Sequence, residues 1–450
     1  MNNAEAAQYR RTVRFQRAHR VWKMMRASFK PFEDKKYMRY EKVLGAGGFG
    51  LVQAWSVLKP NGARDRGIAI KAVTRPNAEA SLRQEIRWHK DGETQRFKGA
   101  THLIQLVDLD DKVMNSSDIN NENGNAGVPI MIMEEMGGGS ARDLLDRSIL
   151  FRRANPRLEL DIRGLEYIPN RLIRSCIGMN YAKLKGRQGA QITETLGPYR
   201  PAYSGNKLVH NDIDVQNIFI SDPVKNDEEH SLVPICKIGD YGCMVEWDDS
   251  WDKETKKSSI RGKRSHMAPE QFIRELTYID GALGWHTNVY QIGSAMHDLI
   301  TQRSYAFRDR SVQRRRKNST AMGSEYDTYG WRLLEHGEYV IEEEFVKVDI
   351  QLRELVAACM AYRASQRPNL SFLETVTMHH IRRLAKQASA SMQLDFHDPD
   401  DSYKTRVPMG TVEPPSLVER FTDEYFRTPW GDGDPHRDFW AGRIVTPSLQ

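Results

Sequence analysis

Cysteine is scarce in this chain and poorly placed for chemistry. The four cysteines, Cys176, Cys236, Cys243 and Cys359, are scattered and form no CxxC pair. That argues against a zinc site and against a disulfide framework, and it suits a reducing intracellular compartment, cytoplasm or nucleus. Long hydrophobic runs are missing too. No stretch approaches the roughly eighteen uncharged apolar residues of a spanning helix, so no transmembrane segment is expected. No internal repeat is visible. What the chain does have is length, with 450 residues, 39% of them hydrophobic, and a net charge of +6. This is enough for two lobes plus extensions.

The positive excess is concentrated. Residues 10 to 30 carry Arg10, Arg11, Arg14, Arg17, Arg20, Lys23, Arg26 and Lys30 with no acidic residue among them. Val21, Met25, Phe29 and Phe32 recur there at helical spacing, so residues 1–40 read as a basic, helical N-terminal extension. Such a helix either packs on the neighbouring lobe with its charged face in solvent or meets a membrane surface or a partner. No stable nucleic-acid binding is predicted.

Strand-like runs follow in KVLGAG, LVQAWSVL and GIAIKAV, with a hairpin loop near Pro60 to Arg66. They predict a small antiparallel sheet. Ala78 to Lys90 suits a single helix over that sheet, and LIQLVDL and VPIMIME read as two more strands around a polar loop, Asn115 to Gly127. From Gly137 the texture becomes helical, with the glycines at 137 to 139 as a hinge. A buried helix is expected over 171–184. Turn-rich insertions are expected near 185–206 and 222–232. After Val289 the pattern is helical to about Ala385, interrupted by a polar, Arg-rich stretch from Arg303 to Asn318. The tail, 384–450, shows no period and reads as partly disordered or wrapping the folded part.

Five short motifs stand in order along this frame: GAGGFG at Gly45 to Gly50, IAIK ending at Lys71, HND at His210 to Asp212 with Asn217 five residues later, DYG at Asp240 to Gly242, and APE at Ala268 to Glu270. Each suits a task in handling phosphate. A glycine turn between strands lets backbone amides approach phosphate oxygens because no Cβ intervenes. A lysine on the following strand needs a carboxylate to hold it; Glu85 is the best candidate and Glu79 the alternative. A carboxylate and an amide five residues apart on a loop before a strand suit proton acceptance and cation binding.

The order and spacing resemble a eukaryotic-type protein kinase, in a divergent form. The resemblance implies an α+β, two-lobed fold: an N-lobe over 41–136 with a small antiparallel sheet and one main helix, and a larger, mostly helical C-lobe over 137–383. It implies an ATP- and Mg²⁺-dependent enzyme passing a γ-phosphoryl group to a protein hydroxyl, more often serine or threonine than tyrosine. By resemblance, Gly45, Gly47 and Gly50 cover the phosphates, Val52 and Ala69 pack on adenine, and Lys71, held by Glu85, contacts the α and β phosphates. Met133 is the gatekeeper, Glu134 and Met136 give main-chain hydrogen bonds to adenine, and Ser140 lies near the ribose. Asp212 orients the substrate hydroxyl and accepts its proton, while Asn217 and Asp240 hold magnesium. His210 supports the loop, and Glu270 and Arg367 form a buried ion pair.

Four positions depart from the family pattern. Asn211 replaces the arginine of HRD, so no cation is there to read an activation-loop phosphate, although Ser250, Thr255, Ser258 and Ser259 are acceptors in that region. Asn288 replaces an anchoring aspartate. Asp214 stands where serine/threonine kinases have a lysine that meets the γ-phosphate, and Gln216 stands where tyrosine kinases put their cation. A unit charge about 4 Å from a phosphate oxygen is worth on the order of 4 kcal/mol at an effective dielectric of about 20, so reversing its sign threatens catalysis. Lys263 sits where a threonine usually precedes APE by five residues. Lys263 is therefore expected either to pair with Asp214 and restore the missing cation, or to belong to a solvated basic stretch with Lys256, Lys257, Arg261 and Arg264. Two further function classes follow: a pseudokinase that binds nucleotide and acts as a scaffold or allosteric regulator, and a kinase of small molecules.

Overall fold

The computed structural model describes residues 3–46, 50–90, 97–107, 109, 129–146, 168–180, 194, 196, 207–221, 235–272, 283–302, 315–319, 324–334 and 348–379. Gly47, the 222–232 insertion and the 384–450 tail lie outside the described residues, as does the 185–206 insertion apart from Glu194 and Leu196. The chain divides into two compact units, with the division at Glu135 and Met136 and with Gly99–Leu103 assigned to the second.

The first unit is built on a four-stranded antiparallel sheet in the order β1 (Met38–Ala46), β2 (Gly50–Leu58), β3 (Arg64–Val73), β4 (Ile130–Glu134). Alternation along the strands gives the sheet two apolar faces, and each is covered by a helix. One face presents Leu51, Trp55, Val57, Ile68, Ile70 and Ala72, and helix α1 (Asn3–Asp34) packs on it through the buried Met25 and Phe29. Val21, Trp22 and Phe32 flank that contact. Not all of the basic stretch faces solvent: the Arg26 guanidinium lies 4.3 Å from the Tyr40 ring centroid and 5.2 Å from that of Trp55, and it pairs with Glu33 at 3.1 Å. The opposite face carries Val73 and Met131, against which α2 (Glu79–Lys90) places Leu82 and Ile86. The run LIQLVDL forms no strand among the described residues. It contributes an isolated Leu106–Met133 bridge, with Val107 N–H donating to Ile132 O (3.1 Å) and Glu134 N–H donating to Gln105 O (3.1 Å).

The second unit is mostly helical. Among the described residues its small strands form three sheets: β5 (Gly139–Ser140), β7 (Ile218–Ile220) and β8 (Cys236–Ile238) in one, β6 (Leu208–Val209) with β9 (Val245–Glu246) in another, and a hairpin further along the chain in the third. Helix α3 (Ile168–Asn180) is buried along almost its whole length. It packs on β8 and on α6 (Trp285–Thr301), the long central helix, which in turn meets α7 (Ile350–Cys359). Two short helices, α4 (Lys253–Ser259) and α5 (Pro269–Phe272), flank the segment before and after APE. Where the sequence predicted helices around a polar interruption, an antiparallel hairpin stands instead, β10 (Arg315–Ser319) against β11 (Ser324–Thr328). It is held by the Thr328–Ala361 bridge and by Tyr326, buried with Ala358 and Ala361. A helix over 370–379 closes the described part.

Candidate active site

In the first unit, strand register assembles the nucleotide-side candidates on one face of the sheet. Val52 stands opposite Lys71, Ala69 opposite Met133, and Lys71 opposite Met131. Lys71 reaches α2 and pairs with Glu85 at 2.7 Å, the lysine side chain 13% exposed and the carboxylate 2%. Glu79 is engaged elsewhere, 4.0 Å from Arg83 one turn on. Gly50 needs its missing side chain, because a Cβ there would stand 2.9 Å from the Ala72 carbonyl oxygen; at Gly45 the same atom would meet nothing. The Glu134 side chain accepts from Gln105 N–H at 2.8 Å, so its carboxylate braces the strand end.

In the second unit, the Met136 carbonyl accepts from Gly139 N–H at 3.0 Å. Ser140 is engaged locally: its N–H and hydroxyl both donate to the Asp143 carboxylate at 2.7 Å, which ties down the start of the following helical turn.

The loop between β6 and β7 is densely hydrogen-bonded. His210 is fully buried, with Nε2 3.1 Å from Gly239 O and Nδ1 accepting from Asp212 N–H at 3.3 Å. These partners assign one donor and one acceptor nitrogen, the neutral ring. Burial first of all lowers its pKa to about 4. The ring lies edge-on to Tyr241, 5.6 Å between centroids, and the Tyr241 hydroxyl donates to Ile238 O at 2.6 Å. Tyrosine in DYG is therefore a packed, satisfied core residue. Asp240 before it is exposed and adopts the left-handed region at φ 62°.

Asp212 is the focus of the loop. Burial pushes its pKa up to about 6, with the Asp214 and Asp240 charges adding to the rise and Lys263 opposing it. Its Oδ1 accepts from the backbone N–H of Lys263 at 2.8 Å. The Asn217 amide NH₂ donates to Asp212 O at 2.7 Å and to Oδ2 at 3.1 Å. Asp214, 2% exposed, does two things at once. Its Oδ1 accepts from Gln216 N–H at 2.8 Å and Asn217 N–H at 3.2 Å, and its Oδ2 receives the Lys263 ammonium. A lysine at 214 would offer no acceptor for those amides. Gln216 is exposed.

Asn211 sits at φ 67° and bridges three segments. Its amide NH₂ donates to Cys243 O (3.1 Å) and Ser259 O (3.2 Å), and its amide oxygen accepts from Gln271 (2.8 Å). Asn288 accepts from His210 N–H at 2.9 Å and donates to Leu208 O at 2.8 Å, serving both neighbours of the loop's start. Glu270 and Arg367 form a bidentate pair at 2.6 and 2.7 Å, fully enclosed, with Thr287 as a third partner at 3.0 Å.

Two residues of this site carry no motif signal. Gly262, at φ 100°, packs so closely that a Cβ would fall 2.0 Å from Asn211 O and 3.1 Å from Asp212 Oδ1. Gln271, directly after APE, joins Asn211, Ala268 N–H (2.7 Å) and Gln291 (3.3 Å). Only the glycine beside Lys263 could have drawn attention, as a residue free to adopt positive φ.

A sheet bearing a lysine clamped by a helical carboxylate, and a loop that sets a raised-pKa carboxylate beside an amide, define a protein-kinase-type domain. The family model for protein tyrosine and serine/threonine kinases matches residues 38–376, and the chain belongs to that family. No curated protein matches the chain. Among the described residues no helix is long and apolar enough to cross a membrane.

Proposed function

We propose that this kinase-family chain is a catalytically active, ATP- and Mg²⁺-dependent kinase that phosphorylates serine or threonine hydroxyls of proteins. The observation that carries the reading is the double contact of Lys263, whose backbone N–H holds the Asp212 carboxylate while its ammonium neutralises Asp214. The residues present fit magnesium. Among the described residues no group of three or more His, Cys, Asp or Glu could form a protein cage, but Asn217 and Asp240 supply hard oxygen donors, and magnesium commonly takes one or two such ligands plus substrate phosphates. Bound there, it would neutralise phosphate charge.

The chain's own residues do the rest. Lys71, fixed by Glu85, binds α and β phosphate oxygens; Gly45, Gly47 and Gly50 cover the phosphates; Val52, Ala69, Glu134, Met136 and Ser140 receive the nucleoside. Asp212 orients the substrate hydroxyl and takes its proton as the oxygen attacks the γ-phosphorus, while the bond from that phosphorus to the β–γ bridging oxygen breaks and ADP leaves. With a pKa near 6 the carboxylate is ionised at neutral pH and basic enough to accept that proton. The Lys263 ammonium has donors left beyond the one on Asp214 and offers one to the γ-phosphate. The Lys263–Asp214 pair is neutral overall, so the site holds one positive charge fewer than the family pattern, and slow turnover is expected.

That deficit favours the second reading, a pseudokinase that binds nucleotide. A γ-phosphate transfer assay with Mg²⁺ and ATP on wild type, Asp212→Ala and Lys71→Ala, with a matched nucleotide titration, separates the two. Transfer lost in both variants supports the enzyme. Nucleotide binding with no transfer by the wild type supports the scaffold.

A further inference from the structure

Residues 256–264, KKSSIRGKR, carry five cations and no carboxylate. Lys256 donates to Asp249 O at 2.7 Å, and Lys263 is taken by Asp214. The other three, Lys257, Arg261 and Arg264, are exposed. Among the described residues none of them has a carboxylate partner; Arg261 makes one hydrogen bond, Nε donating to Ser258 O at 3.3 Å. Of the acidic residues just upstream, Asp249 pairs with Lys207 and Asp252 caps α4 by accepting from Glu254 and Thr255 N–H at 2.9 Å, while Glu254 lies exposed in the first turn of α4.

This basic edge is fixed against the reacting group. Gly262 lies on Asn211 O, Lys263 N–H binds Asp212 Oδ1 at 2.8 Å, Asn211 holds Ser259 O at 3.2 Å, and His266 N–H donates to Lys263 O at 3.0 Å. Arg261 and Arg264 therefore flank a backbone that touches the candidate proton acceptor. Successive Cα atoms are about 3.8 Å apart, so a peptide whose hydroxyl sits at Asp212 has its next few residues within reach of both guanidinium groups.

We infer that the enzyme selects acceptor peptides with Asp or Glu within a few residues of the hydroxyl, and that Arg261 and Arg264 are the specificity-determining residues. The inference rests on the kinase reading above. Exposed guanidinium groups facing a peptide carboxylate favour binding and steer encounter, both weakened by salt.

The test compares serine peptides flanked by Asp/Glu with the same peptides flanked by Asn/Gln, using the full chain as wild type and as Arg261→Glu/Arg264→Glu. Wild type is expected to prefer the acidic peptide by about ten-fold in kcat/KM, with the preference shrinking as salt rises. The double variant is expected to lose or invert that preference while keeping its rate on the neutral peptide within about two-fold. Equal rates on both peptides, or a preference that survives the double variant, would overturn the inference. If no peptide is phosphorylated, the kinase reading fails separately, and fluorescence anisotropy of the labelled acidic peptide decides this one. Salt-sensitive binding lost in Arg261→Glu/Arg264→Glu supports the surface; no binding by wild type overturns it.

Discussion

Asp214 and Lys263 stand at two positions that depart from the family pattern with opposite charges, and they pair with each other. Asp214 holds two loop amides that a lysine could not, and Lys263 removes the charge it would otherwise impose on the site. The pairing was open to sequence reasoning because opposite departures from one family pattern stood at two positions. Lys71 and Glu85 were legible for a similar reason, since a strand lysine in this fold requires a helical carboxylate. Gly262 and Gln271 were not legible, because their importance lies in which backbone atoms they approach. Lys263→Met is expected to cut kcat by at least about ten-fold. Removing a cation that lowers the Asp212 pKa must raise that pKa, so the acid limb of kcat/KM, expected near pH 6 in wild type from the Asp212 carboxyl, should move to higher pH; a pH–rate profile checks both effects. Gly262→Ala should nearly abolish transfer, since it adds an atom 2.0 Å from Asn211 O in a φ 100° backbone. Thermal denaturation and a transfer assay on the purified variant check this.

At the level of elements, the N-terminal helix is a structural part of the first unit. The spacing of Val21, Met25, Phe29 and Phe32 marked a helix, but spacing cannot say which sheet face receives it; the buried Trp55 and Ile70 do. Phe29→Ala should cost about 3–5 kcal/mol in denaturant-measured stability, the range for emptying a buried aromatic site. The hairpin β10–β11 was missed because its strands, RRKNS and SEYDT, lack apolar alternation; β11 is anchored by the buried Tyr326 and by Thr328, bridged to Ala361. LIQLVDL misled in the other direction, since its apolar run reads as a strand while its described backbone makes only a few ladder bonds. The Glu270–Arg367 pair ties α5 to the 361–367 turn from within the core. Glu270→Gln leaves a buried guanidinium unbalanced and should destabilise the fold by about 3–5 kcal/mol, read from chemical denaturation.

Across the whole molecule, the segment from DYG to APE is tied to the loop around Asn211 and Asp214 by side-chain amide hydrogen bonds and by the Lys263–Asp214 pair. Asn211 reaches Cys243 O, Ser259 O and Gln271. With Asn211 where the family pattern has a phosphate-reading arginine, replacing Thr255, Ser258 and Ser259 together by alanine is expected to leave the transfer rate within about two-fold; a transfer assay on the triple variant checks this. Folding should also depend on pH. His210 and His297 are buried neutral with pKa values lowered from 6.5 to about 4, mainly by burial. In the unfolded chain they protonate near 6.5, so their contribution to stability is full above that pH and is lost as pH falls toward about 4. The two-unit α+β plan and the motif order were legible because the family's chemistry demands fixed residue types at fixed spacing, while the close backbone contacts that hold the site together leave no such trace.

The most direct measurement is phosphoryl transfer by Lys263→Thr compared with the double variant Lys263→Thr/Asp214→Lys, with ATP affinity measured alongside. If the ammonium at 263 replaces the cation usually found at 214, the single variant should lose at least about ten-fold in kcat with ATP affinity little changed, and adding Asp214→Lys should recover much of the loss. Full activity in the single variant, with no gain in the double, would contradict the account.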